Sequence, residues 1–94
     1  MDFYTIVGIQ PTSFPSRDDP KTLIEGVNIY VTSPLDIRKP GAKGLKAEKL
    51  FLTNTKISEL SFSVNTDQVV EIYYNKYGKV SSLRLVEEKE IDFS

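Results

Sequence analysis

The chain contains no cysteine, no histidine and no tryptophan among its 94 residues. Without cysteine there is no disulfide framework and no thiolate nucleophile. Without histidine the commonest acid–base group and the commonest zinc ligand are both missing. Long apolar runs are missing too, the usual ones being two or three residues, as at Ile6-Val7 and Tyr73-Tyr74. A membrane-spanning helix needs about 20 apolar residues, so no span is expected. Met1-Asp2-Phe3-Tyr4 offers neither a basic n-region nor an apolar h-region, so a cytoplasmic location is expected. Hydrophobic residues at 39% against 27% charged place the chain among folded domains rather than disordered ones. Its length suits one domain.

The formal net charge of −1 conceals a segregation. Between Arg38 and Lys56 stand six cations, Arg38, Lys39, Lys43, Lys46, Lys49 and Lys56, against the one anion Glu48. That stretch is +5. Residues 87–94 hold Glu87, Glu88, Glu90 and Asp92 against Lys89, a charge of −3, which leaves residues 1–86 at +2. A basic body with an acidic tail fits a polyanion ligand. Solvated loops and a solvated terminus give the same pattern without a ligand.

Five segments read as strands. Phe3 to Gln10 is the first, and the three prolines of Pro11 to Pro20 mark a loop after it. Leu23 to Thr32 is the second, with Val27, Ile29 and Val31 on one face and Asn28, Tyr30 and Thr32 on the other. Ser33 to Gly44 reads as a second loop. Leu45 to Thr53 is read as the third strand. Its Leu45, Ala47, Leu50 and Leu52 share a face only with a bulge near Glu48-Lys49, and a helix also fits the spacing. Asn54 to Leu60 reads as a short helical connector, with Asn54 or Thr55 as cap and Ile57 and Leu60 toward the core. Val69 to Asn75 and Val80 to Val86 are the last strands. Between them Gly78 supplies the positive φ of a bulged hairpin. The expected fold is all-β: a small five-stranded OB-fold-like barrel over residues 1–86, with a helical connector between strands three and four and a mobile acidic tail at 87–94. An SH3-like barrel is the nearest competitor.

Catalytic readings find little support. Glu48, Glu59 and Glu71 have no partner by sequence, no Gly-x-Ser-x-Gly elbow occurs, and Pro40-Gly-Ala-Lys-Gly44 lacks phosphate-loop spacing. No enzyme activity, cofactor or metal is expected. Single-strand binding needs a basic groove for phosphates and aromatic faces for bases. Tyr30, Tyr73, Tyr77, Phe14 and Phe51 are candidate stackers. Lys46, Lys49, Lys76, Lys79 and Arg84 are candidate phosphate contacts, with Arg17 and Lys43 beside them. Tyr30 and Tyr73 also suit plain cross-strand packing, and Phe14 and Phe51 suit burial.

Val7-Gly8, Phe14, Gly26-x-Asn28-x-Tyr30-Val31-Thr32, Gly44-Leu-Lys-Ala-Glu-Lys-Leu-Phe-Leu52 and Tyr74-Asn-Lys-Tyr-Gly-Lys-Val80 carry a family resemblance. Together they resemble small proteins of phages and conjugative elements of Gram-positive bacteria. Those in turn are similar to the filamentous-phage single-stranded-DNA-binding proteins, which are OB-fold homodimers. The resemblance implies a sequence-tolerant single-stranded-DNA-binding homodimer that acts in replication or transfer of a mobile element. It places Tyr30, Tyr73, Tyr77 and the lysines of the third strand near the DNA. Residues 87–94, with Ile91 and Phe93 among acids, resemble tails that recruit replication proteins. A protein–protein adaptor of phage or mobile-element origin, built on the same barrel, is the alternative function.

Overall fold

β-Branched and aromatic residues at alternating positions draw five segments into strands. The computed structural model describes residues 3–35 and 38–86. The acidic segment 87–94 lies outside the described residues. In chain order the elements are β1 (Tyr4–Pro15), β2 (Leu23–Pro34), β3 (Leu45–Thr53), α1 (Asn54–Ser58), β4 (Val69–Tyr74) and β5 (Val80–Leu85). The strands form one antiparallel sheet in the order β3-β2-β1-β4-β5. No helix among the described residues is long and apolar enough to cross a membrane.

The inner face of the sheet carries the core. The alternation expected of the second strand holds: Ile29 and Val31 are fully buried, and Val27 packs beside them. Ile6, Leu50, Leu52, Val70 and Leu83 complete the cluster. Burying such side chains contributes about 1.5–3 kcal/mol each, the main term holding a chain this short together. Ile57 and Leu60 pack against the same core from α1 and the segment after it.

Three expectations are corrected. β1 does not stop at Gln10. It runs through Pro11 to Pro15, paired with β2 down to Pro15↔Leu23. β4 pairs with β1 only at Tyr4↔Val70 and Thr5↔Val69, so along its proline-bearing half β1 has a partner strand on one side only. A proline is tolerated on such a free edge, where no ladder donor is required of it. β3 has no bulge. Its register with β2 is unbroken from Gly26↔Thr53 to Pro34↔Leu45. Leu45 and Ala47 therefore share the outer face with Lys49 and Phe51, and Leu45 is 64% exposed. The irregularity lies instead in β1, between Ile6 and Gly8. The cap of α1 is Thr53, whose Oγ1 accepts from the Lys56 amide at 3.3 Å.

The β4–β5 hairpin forms as its sequence requires. Gly78 has φ 77°, and its amide donates to the Asn75 carbonyl at 3.0 Å. The Asn75 side-chain oxygen accepts from the amides of Tyr77 and Lys79 and holds the loop shut. The hairpin faces β3 across a gap. β3 and β5 come close, but no strand pairing joins them among the described residues, so the sheet is curled and its seam is open.

Candidate functional site

Alternation along the β1–β2–β3 meander lifts a set of side chains onto its outer face. Phe51 stands opposite Asn28 in register, and Lys49 opposite Tyr30. Two rings on this face lie over glycines. A Cβ added to Gly26 would sit 2.5 Å from Phe51 Cζ and 2.4 Å from the Leu52 carbonyl oxygen. Only glycine leaves room for the ring there. Phe51 also meets Phe14 with centroids 5.3 Å apart at 59°, a tilted pair of favourable geometry. Tyr30 lies over Gly8, where a Cβ would be 3.3 Å from the ring, and its hydroxyl donates to Gln10 Oε1 at 3.4 Å.

Phe14 and Phe51 form one wall of an open groove of about 840 Å³. β3 and Lys56 of α1 form its floor and side, and Tyr74, Gly78, Lys79 and Val80 of the β4–β5 hairpin form the opposite wall. Lys49, Lys56 and Lys79 point positive charge into it. Among the lining residues Glu48 is the one carboxylate. Lys46 Nζ lies 2.8 Å from Glu48 Oε1 and neutralises it. That hydrogen bond first, and the carboxylate's charge second, hold the Lys46 ammonium above the ordinary lysine value. The groove therefore keeps a surplus of three cations beside aromatic and apolar walls. Lys56 Nζ donates to the Val80 carbonyl at 3.3 Å, a neutral partner that leaves its charge uncompensated.

Of the side chains expected at a site, Lys49, Phe51 and Lys79 line this groove, and Lys46 borders it through Glu48. Tyr30 sits on the outer sheet face next to Lys49 in register. Tyr77, 75% exposed, stands at the hairpin tip with the Lys76 ammonium 5.2 Å from its ring centroid, a cation–π contact. Neither lines the groove. Tyr73 lies on the opposite face of β4 from Tyr74, with Glu71. Arg84 is bound to the Glu71 carboxylate, and Glu71 is only 7% exposed. A buried carboxylate requires such a partner, which accounts for Arg84 without a ligand.

Two groove residues, Lys56 and Tyr74, were not among the expected contacts. Tyr74 shares its strand alternation with Val70 and Ile72 and reads as core. Lys56 falls in the connector, and only the curl of the sheet carries it to β5. Compared with protein-family models, curated proteins and solved structures, the chain matches none.

Proposed function

We propose that the chain is a non-catalytic protein that binds single-stranded DNA with little sequence preference. The architecture it would use is an OB-like curled sheet with an open seam: in the order β3-β2-β1-β4-β5 the edge strands β3 and β5 come close without pairing, and the helix lies between β3 and β4 in sequence. In an OB-fold the ligand lies on the face of strands two and three, between the β1–β2 and β4–β5 loops. The groove's lining by β3, by Phe14 and Ile24 at the β1–β2 end and by the β4–β5 hairpin supports that reading.

One observation carries the reading. Lys49, Lys56 and Lys79 flank Phe14, Phe51 and Tyr74 in one open groove whose single carboxylate is already paired. Cations track phosphates, while ring faces accept any base and so impose little sequence preference. A duplex presents its bases edge-on and stacked, which a ring-walled groove cannot use.

The test is fluorescence anisotropy of labelled oligo-dT at low and moderate salt, with duplex as competitor. Three phosphate contacts on a single strand give a slope of log K on log salt of about −2. Binding with that slope, not displaced by duplex, is the expected result. Absence of binding at tens of micromolar protein, a concentration at which even about 10⁻⁴ M non-specific affinity registers, overturns the proposal and favours a protein ligand for the groove.

A further inference from the structure

A second concavity lies away from the groove. It is an open cleft of about 480 Å³ between the inner face of the β1–β2 hairpin and the segment that follows α1. Ile9 and Val27 form one side; Ile57, Leu60, Phe62 and Val64 form the other. The remaining lining residues are Ser58, Ser61 and Ser63, so no charged side chain lines it. An apolar cleft with a neutral rim is unsuited to a phosphate backbone and well suited to a few apolar side chains.

The course of the chain indicates what fills it. Val86 is buried, and its amide donates to the Val69 carbonyl at 2.8 Å. Before Val69 the chain turns: the Gln68 carbonyl and the Asp67 amide are bonded to Ile6, and Asp67, at φ 69°, reverses the backbone toward the cleft-lining segment. Gln68 is fastened to the cleft rim, because its Oε1 accepts from the Asn65 amide and its Nε2 donates to the Ser63 carbonyl. The chain therefore leaves Val86 beside Val69, next in sequence to Gln68 and its bonds to the cleft rim. From Val86 an extended chain reaches up to about 17 Å by Ile91 and about 23 Å by Phe93, ample for a cleft whose rim is bonded to Gln68. Ile91 and Phe93 are the apolar residues beyond Val86, and they are two apart. In an extended segment they present on one side, while Glu90 and Asp92 face the other.

We propose that residues 87–94 dock back on their own domain, with Ile91 and Phe93 seated in the cleft between the β1–β2 hairpin and residues 57–64. The acidic side chains then remain in solvent on the outer side of the docked segment. The apolar tip is covered by the domain and is released only to a partner that competes with the cleft.

Methyl NMR on the full chain tests this directly. The expected result is nuclear Overhauser contact from the Phe93 ring to the methyls of Val64 and Ile57. Ending the chain after Val86 should shift the Ile9, Ile57, Leu60 and Val64 methyls while those of Ile29 and Leu52 stay in place, which also verifies that the shortened chain folds. Phe93→Ser, a change outside the packed domain, should move the same methyls in the same direction. Superimposable spectra of the full and shortened chains would overturn the proposal. So would cleft methyls that respond to protein concentration but not to the truncation, since a second copy would then cover the cleft.

Discussion

Lys56 on α1 and Val80 at the start of β5 are joined by a hydrogen bond from Nζ to the main-chain oxygen, 3.3 Å long. The bond bridges the seam that strand pairing leaves open. It also fixes the ammonium at the groove, whose lining Lys56 shares with Lys79 and Phe51. One side chain thereby serves the closure of the sheet and the charge of the groove.

Lys56→Met keeps the aliphatic stem and removes the donor. The expected cost is about 1 kcal/mol of stability, since the site is half-buried and a hydrogen bond nets about that much. Oligo-dT affinity should fall, and the salt slope should shrink by about 0.7, the share of one phosphate on a single strand. Thermal melts and anisotropy at several salt concentrations measure both. A melting change with an intact slope would leave Lys56 a purely structural role.

The two glycines under aromatic rings should respond differently to a methyl group. Gly26→Ala drives a Cβ into the Phe51 ring and the Leu52 carbonyl, and backbone cannot yield as a side chain can. A loss of about 1–3 kcal/mol is expected, which lowers Tm by several degrees in a domain of this size. At Gly8 the nearest atom belongs to Tyr30 at 3.3 Å, so Gly8→Ala should stay within about 1 kcal/mol of the parent.

Arg84→Met strips the Glu71 carboxylate of its partner. Because Glu71 is buried while Arg84 is partly exposed, the expected loss is about 1–3 kcal/mol. Affinity for oligo-dT should not move. Glu71→Gln in the same background should recover part of the lost stability, because a neutral amide is cheaper to bury than an unpaired charge.

Tyr74 and Tyr77 separate by oligonucleotide length. Tyr74→Ala removes a groove wall and should weaken binding of short and long oligo-dT alike, by about 1–3 kcal/mol if one base stacks there. Tyr77 stands beyond Lys79 at the hairpin tip, outside the groove. Tyr77→Ala should leave Tm unchanged and weaken only oligonucleotides long enough to extend past the groove. Equal loss on the shortest oligonucleotides would place Tyr77 at the primary contact instead.

Local chemistry explains which parts of this architecture can be read from the sequence. Val27, Ile29 and Val31 alternate with polar residues, so the buried face of β2 is legible from period alone. Gly78 after Asn75-Lys76-Tyr77 dictates its hairpin through a single positive φ. The extension of β1 is not legible in the same way, because Pro11 and Pro15 signal a loop unless the free edge of β1 is known. Leu45 suggests core, and only the unbroken register with β2 turns it outward. Lys49, Phe51 and Lys79 are recognisable as groove residues because cations and rings outside the apolar period stand out. Lys56 and Tyr74 are not, since their placement follows from the curl that carries the β4–β5 hairpin across to β3. Arg84 looks like any strand cation until its cross-strand partner Glu71 is known to be buried.

The narrow β1–β4 joint bears on how the chain folds. β1 with β2, β2 with β3, and β4 with β5 are each neighbours in sequence and close short loops, so their pairing costs little chain entropy. Tyr4↔Val70 and Thr5↔Val69 join segments more than sixty residues apart, and among the described residues they are the register pairs between the two halves. The meander of β1 to β3 and the hairpin of β4 and β5 are therefore suited to form early and separately. Their docking is then the expected slow step, so substitutions at Thr5, Val69 and Val70 should slow folding in stopped-flow measurements rather than merely speed unfolding.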